Sequence, residues 1–184
     1  LHPLFGNLWE AINPFTGLRA LVTGRFGRAE GGPPLRYPAW ASYWPAVMIF
    51  FGFAWFQLVY PAPEDPAILA VAVLVYLGVS FAGVLAFGVK DWLGKADPFA
   101  VLLAQLGAAA PLGRGGLRWP GAGLLSLPVL PVSGVIFVLL TLGTITFDGF
   151  ANTFVWLSVI GINPLDFPGR TPVMAANTLG ILLV

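Results

Sequence analysis

Between Pro66 and Phe87 the chain runs for 22 residues without a charged side chain, most of them aliphatic. About 20 such residues in a helix cover the ~30 Å hydrocarbon core of a bilayer, and a buried strand of a water-soluble domain ends much sooner. This run predicts a membrane-spanning helix. A second uncharged run, Trp40–Tyr60, holds 21 residues, with Trp40, Tyr43 and Trp44 at one end and Tyr60 at the other, as in interfacial aromatic belts. Pro45 falls in its first turns, where a missing N–H costs little. Pro61, Pro63, Glu64 and Asp65 form a tight polar connection, so the two runs predict a transmembrane hairpin. A third span is expected over Val129–Phe147, bounded by Pro128 and Asp148, and a fourth begins near Pro172 and continues to Val184. The fold class expected is an all-α, polytopic transmembrane bundle of at least three spans, with residues 1–184 a single membrane domain. A first residue that is Leu1 and an end inside the apolar run Thr178–Val184 suggest part of a longer protein.

Composition agrees with this reading. Charged residues make up 9% of the chain, against about 25% in a typical soluble domain. A net charge of +1 lacks the basic footprint of a nucleic-acid binder. Without any cysteine, disulfides, thiolate metal sites and cysteine nucleophiles are excluded within these residues.

Two stretches are apolar but too short to cross. Residues 97–112 open with Asp97 as a helix cap and Pro98 at the first helical position, and predict a surface-lying or re-entrant helix on the cytoplasmic face. Residues 4–22 predict a similar interfacial helix, interrupted at Asn13-Pro14. Gly/Pro-rich loops follow each. Residues 152–162 predict a short interfacial segment. With three spans, the loops around residues 10–39 and 88–128 share one side. They hold Arg19, Arg25, Arg28, Arg36, Lys90, Lys95, Arg114 and Arg118, whereas the opposite side receives Arg170 with Glu64, Asp65, Asp148 and Asp166. That asymmetry predicts a cytoplasmic location for the basic loops of an inner-membrane protein.

Asp148 is the most informative ionisable residue, because charge near membrane depth is costly and often marks a functional path. Gly149 and Asn152 beside it suggest that the chain leaves the membrane there, which would make Asp148 an interfacial helix end. Thr141, Thr144 and Thr146 offer hydroxyls on the same span, although such groups commonly bond back to the preceding turn. Gln57 is the amide deep in the first span, suited to interhelical hydrogen bonding. Gly78, Ala82 and Ala86 form a small-residue stripe that would let another helix approach closely. His2 stands without HxH or HExxH company, so no metal site is expected here. A short echo links Ile12-Asn13-Pro14 to Ile162-Asn163-Pro164, on opposite sides as in an inverted repeat.

The order NLWEAINPF, YPAWASYWPA, FAWFQLVY, GVKDW, DPFAVLLAQLGAAAPLG and GTITFDGF resembles a family of bacterial multi-pass membrane proteins labelled fenitrothion hydrolase, over roughly Asn7 to Trp156. The resemblance implies further spans on both sides and, through the label, hydrolysis of apolar organophosphate-like esters. It carries no catalytic residues onto this chain. The function expected is therefore an accessory or scaffold component of a larger membrane assembly, with such a hydrolase, or a permease-like protein using Asp148, as the alternatives. The last requires a cavity that reaches Asp148. The bilayer and other membrane subunits are the expected partners.

Overall fold

The computed structural model describes residues 13–15, 17, 33, 35–113, 116–117, 119–151, 153–161 and 170–183. Its helices are α1 (Trp44–Leu58), α2 (Pro66–Phe87), α3 (Pro98–Ala108), α4 (Val132–Ala151), α5 (Phe154–Val159) and α6 (Arg170–Leu183). One small antiparallel hairpin pairs β1 (Leu112–Gly113) with β2 (Gly116–Leu117). Two helices, α2 and α4, are long and apolar enough to cross a bilayer and suggest membrane association.

Proline and cap chemistry set the boundaries. α2 matches the expected span residue for residue. The Asp65 side chain accepts from the Ala67 N–H at 2.9 Å and Pro66 takes the first helical position. α1 is shorter than expected: residues 39–43 form turns, Ser42 takes a φ of 38°, and the helix begins at Trp44 beside Pro45. Its 15 residues cover about 22 Å at 1.5 Å per residue. α4 is displaced along the chain. Pro131 delays its start to Val132, and the helix continues through Asp148 and Gly149 to Ala151. Asp148 thus sits in the last turn of α4, because a glycine inside a helix weakens it without ending it. Where a fourth span was expected to begin near Pro172, α6 is a helix of 14 residues. Of the expected helix at 4–22, only residues 13–15 and 17 fall among the described residues.

Three apolar clusters hold the helices. Ala46, Val47 and Phe50 of α1 pack with Val101 of α3 and Phe137 of α4. Val59, just past α1, packs with Phe147 of α4 and Ile181 of α6. The Tyr43 N–H donates to Ser133 Oγ at 3.2 Å, so α1 and α4 start together and run parallel. Trp55 Nε1 donates to Thr178 Oγ1 at 3.1 Å and Trp156 Nε1 to Asn177 Oδ1 at 3.1 Å, which fix α6.

After α2 the chain turns back on itself. Gly88, with φ 90°, breaks the helix; one turn (Val89–Asp91) and a π-turn (Trp92–Ala96) then bring Asp97 against the flank of α2. There its carboxylate bonds Tyr76 and Ser80. Ser80 lies seven residues before the end of α2, about 10 Å back along the helix. α3 then returns the way the chain came: Phe99 stacks edge-on to Phe53 and Tyr76, and Val101 joins the cluster nearer the start of α1. α3 packs one side into the fold. Pro98, Ala100, Val101 and Gly107 are buried, and the hairpin shape fits the re-entrant alternative.

Candidate functional site

The threonines of α4 bond within their own helix. Thr141 Oγ1 donates to the Phe137 carbonyl (2.9 Å), Thr144 to Leu140 (2.7 Å) and Thr146 to Leu142 (2.9 Å), each one turn back. A hydroxyl satisfied within its own helix can face an apolar neighbour at little cost. Asn152 lies outside the described residues.

Asp148 and Gln57 meet in one place. An open cleft of about 460 Å³ is lined by Phe53, Phe56, Gln57 and Leu58 of α1, Pro63 and Glu64 of the connection, Leu69 of α2 and Asp148 of α4. Because α4 stays helical past Phe147, Asp148 is held on the helix surface beside the last turns of α1. Two carboxyl groups and an amide thus share an opening with two phenylalanines, and among the described residues no basic side chain lines it. Glu64 was not singled out in the sequence. The short Pro61–Asp65 connection, which forces the α1 end and the α2 start together, was the available signal. The cleft lies at the end of the fold away from Gly88 and Lys95.

A second polar centre went unrecognised in the sequence, where Asp97 was read as a cap alone. Its carboxylate is fully buried. Oδ2 accepts from Tyr76 Oη at 2.8 Å and from Ser80 Oγ at 2.9 Å, and Oδ1 accepts from the Ala100 N–H at 2.8 Å. An isolated buried carboxylate is costly. Here three donors and the positive end of α3 offset that cost. Among the described residues the one ion pair, Lys95–Asp91 at 3.6 Å, lies elsewhere on the surface. Tyr76 and Ser80 stand four apart on α2, so they share a helix face; that spacing was the legible clue. Asn13 repeats the local device, its Oδ1 accepting from the Phe15 N–H at 2.9 Å. Phe15 and Phe99 both meet Tyr76, with ring centroids 6.4 and 5.2 Å away. Asn13-Pro14-Phe15 and Asp97-Pro98-Phe99 therefore converge on one tyrosine. With every oxygen of Asp97 engaged, the arrangement suits a structural pin better than a reacting group.

The stripe Gly78, Ala82 and Ala86 is exposed at its first two positions and half-buried at Ala86. A Cβ at Gly78 would meet nothing within 4 Å, and Ala82 is exposed. α2 packs instead through Ser80, Gly83 and Val84, with Trp92 so close over Gly83 that a Cβ there would overlap the indole. The stripe residues lie on another face of the helix, which four-residue spacing alone could not distinguish. Among the described residues no three His, Cys, Asp or Glu side chains gather as metal ligands, and His2 falls outside them. No protein-family model, no curated protein and no solved structure matches the chain.

Proposed function

We propose that the chain belongs to a polytopic, permease-like protein of the bacterial inner membrane that takes up a cationic solute at the cleft of Gln57, Glu64 and Asp148. In this reading α1, α2 and α4 are three spans, α6 begins a fourth, and α3 with its preceding turns is re-entrant. The observation that supports the proposal is the open cleft lined by Asp148. Its volume falls in the range of about 300–1,000 Å³ common for small-molecule sites. Two carboxylates favour a positive ligand, Phe53 and Phe56 offer aromatic faces to a cation, and Gln57 can orient a polar group.

The test is uptake of ethidium, an aromatic monocation, into proteoliposomes. The expectation is uptake above that of protein-free liposomes, with Asp148→Asn and Glu64→Gln each lowering it about tenfold while the chain stays folded. Uptake no greater than in protein-free liposomes, or unchanged in both variants, overturns the proposal. An accessory or scaffold role is the second reading, supported by the open face at Gly78 and Ala82, where a partner helix would fit. It predicts a stoichiometric companion subunit on mild detergent purification and no effect of Asp148→Asn on assembly. The hydrolase reading rests on the resemblance, with no geometric support among the described residues.

A further inference from the structure

The connection between α3 and α4 carries an apolar surface of a particular kind. Leu117 is 84% exposed, Trp119 85%, Leu125 91% and Val129 98%. These side chains do not project from a featureless loop. β1 and β2 pair Leu112 with Leu117 and Gly113 with Gly116. The Gly121 N–H donates to the Ala109 carbonyl at 2.9 Å, tying the segment to the end of α3. A 3-10 turn follows over Ala122–Ser126, closed by Ser126 Oγ donating to the Gly123 carbonyl at 2.7 Å. Gly116 and Gly121 take φ of 107° and 83°, a region that disfavours side chains. The backbone is thus shaped to present leucine and tryptophan outward, between the end of one apolar helix and the start of another.

Charge indicates what covers this surface. From Pro98 to Phe147 the sequence contains no acidic residue, and its ionisable side chains are Arg114 and Arg118, flanking Leu117 and preceding Trp119. Exposed apolar side chains that include a tryptophan, between the end of α3 and the start of α4 and with two arginines beside them in the sequence, match the chemistry of the headgroup region. Basic residues there draw anionic lipid.

We infer that residues 112–129 form a membrane-surface anchor for anionic lipid, with Leu117, Trp119, Leu125 and Val129 at the acyl-chain boundary and Arg114 and Arg118 supplying attraction to the phosphates. This inference shares the membrane placement of the proposed function and is independent of the cleft at Asp148.

The chain has no cysteine, so a Leu125→Cys variant takes a single NBD label with Trp119 intact. The labelled full chain is reconstituted in vesicles of phosphatidylcholine, with or without phosphatidylglycerol. With phosphatidylglycerol, the NBD emission is expected to shift to the blue and to be quenched several-fold more by shallow doxyl lipid than by aqueous iodide. The preference is expected to weaken in phosphatidylcholine alone and with Arg114→Gln/Arg118→Gln. A Leu117→Cys label should report the same, which guards against a local fault at Leu125. Water-like emission and iodide quenching in both vesicle types overturn the anchor and point to a soluble protein partner. Equal insertion with and without phosphatidylglycerol overturns the anionic preference. Neither outcome depends on ethidium uptake, so failure here and failure of the cleft are distinguishable.

Discussion

At Gly83 and Gly78 the same residue type on the same helix does opposite things. Gly83 lets the Trp92 indole lie directly on the α2 backbone, and Trp92 stacks in turn on Phe87 with centroids 5.9 Å apart. Gly78, five residues earlier, faces open space. Gly83→Ala must push the indole away, and overpacking of this kind typically costs about 1–3 kcal/mol. Gly78→Ala adds a methyl that touches nothing in this chain and removes a flexible residue from a helix interior, a change worth roughly 0.5–1 kcal/mol in the stabilising direction. Thermal denaturation in detergent should therefore place Gly83→Ala below the parent and Gly78→Ala at or above it. The reverse order would mean that α2 packs through its small-residue stripe after all.

At the scale of elements, the reversal between α2 and α3 depends on one carboxylate. Asp97→Ala removes the cap of α3 and leaves the Tyr76 and Ser80 hydroxyls facing an apolar gap. Loss of a cap costs about 0.5–2 kcal/mol and a buried unsatisfied donor about 1–3 kcal/mol. Asp97→Asn keeps an oxygen for the Ala100 N–H, and both hydroxyls can rotate to accept from its amide. Urea or detergent denaturation should show a loss on the order of 3 kcal/mol for Ala and a clearly smaller loss for Asn; equal losses would sink the idea that hydrogen bonding holds the turn. The contrast also explains what was legible in the sequence. α2 was read to the residue because a charge-free run with Asp65 and Pro66 at its head encodes its own limits. The start of α4 was missed by three residues, since Pro131 outranks the apolar character of Val129 and Leu130, and its end by four, since helix continues through Asp148-Gly149. The cap at Asp97 was legible locally. Its partners were not, because Tyr76 and Ser80 lie 21 and 17 residues away and reach it through a reversal that Gly88 and the π-turn create without a hydrophobic period. Gln57 and Asp148 were each named, yet their shared cleft depends on α1 and α4 running parallel, which no local pattern encodes.

For the molecule as a whole, parity of direction is the strongest constraint. α1 and α4 start together at Tyr43 and Ser133, and Val59 and Phe147 close together at the far end. A chain that rises in α1 and rises again in α4 must descend between them, and α2 is the apolar element long enough to do so. The acidic cleft then falls at one end, with Gly88, Lys95 and the Leu117 hairpin at the other. Single cysteines test this arrangement directly because the parent has none. Ala62 and Phe154 are exposed at the cleft end, and Gly94 is exposed in the π-turn. In intact spheroplasts, a membrane-impermeant maleimide is expected to label Ala62→Cys and Phe154→Cys. Gly94→Cys should react only after the membrane is opened, in keeping with the expected cytoplasmic side of the basic loops. Labelling of Ala62→Cys and Gly94→Cys from the same side would remove α2 as a span. Labelling of Ala62→Cys and Phe154→Cys from opposite sides would remove the parallel pair on which the cleft depends.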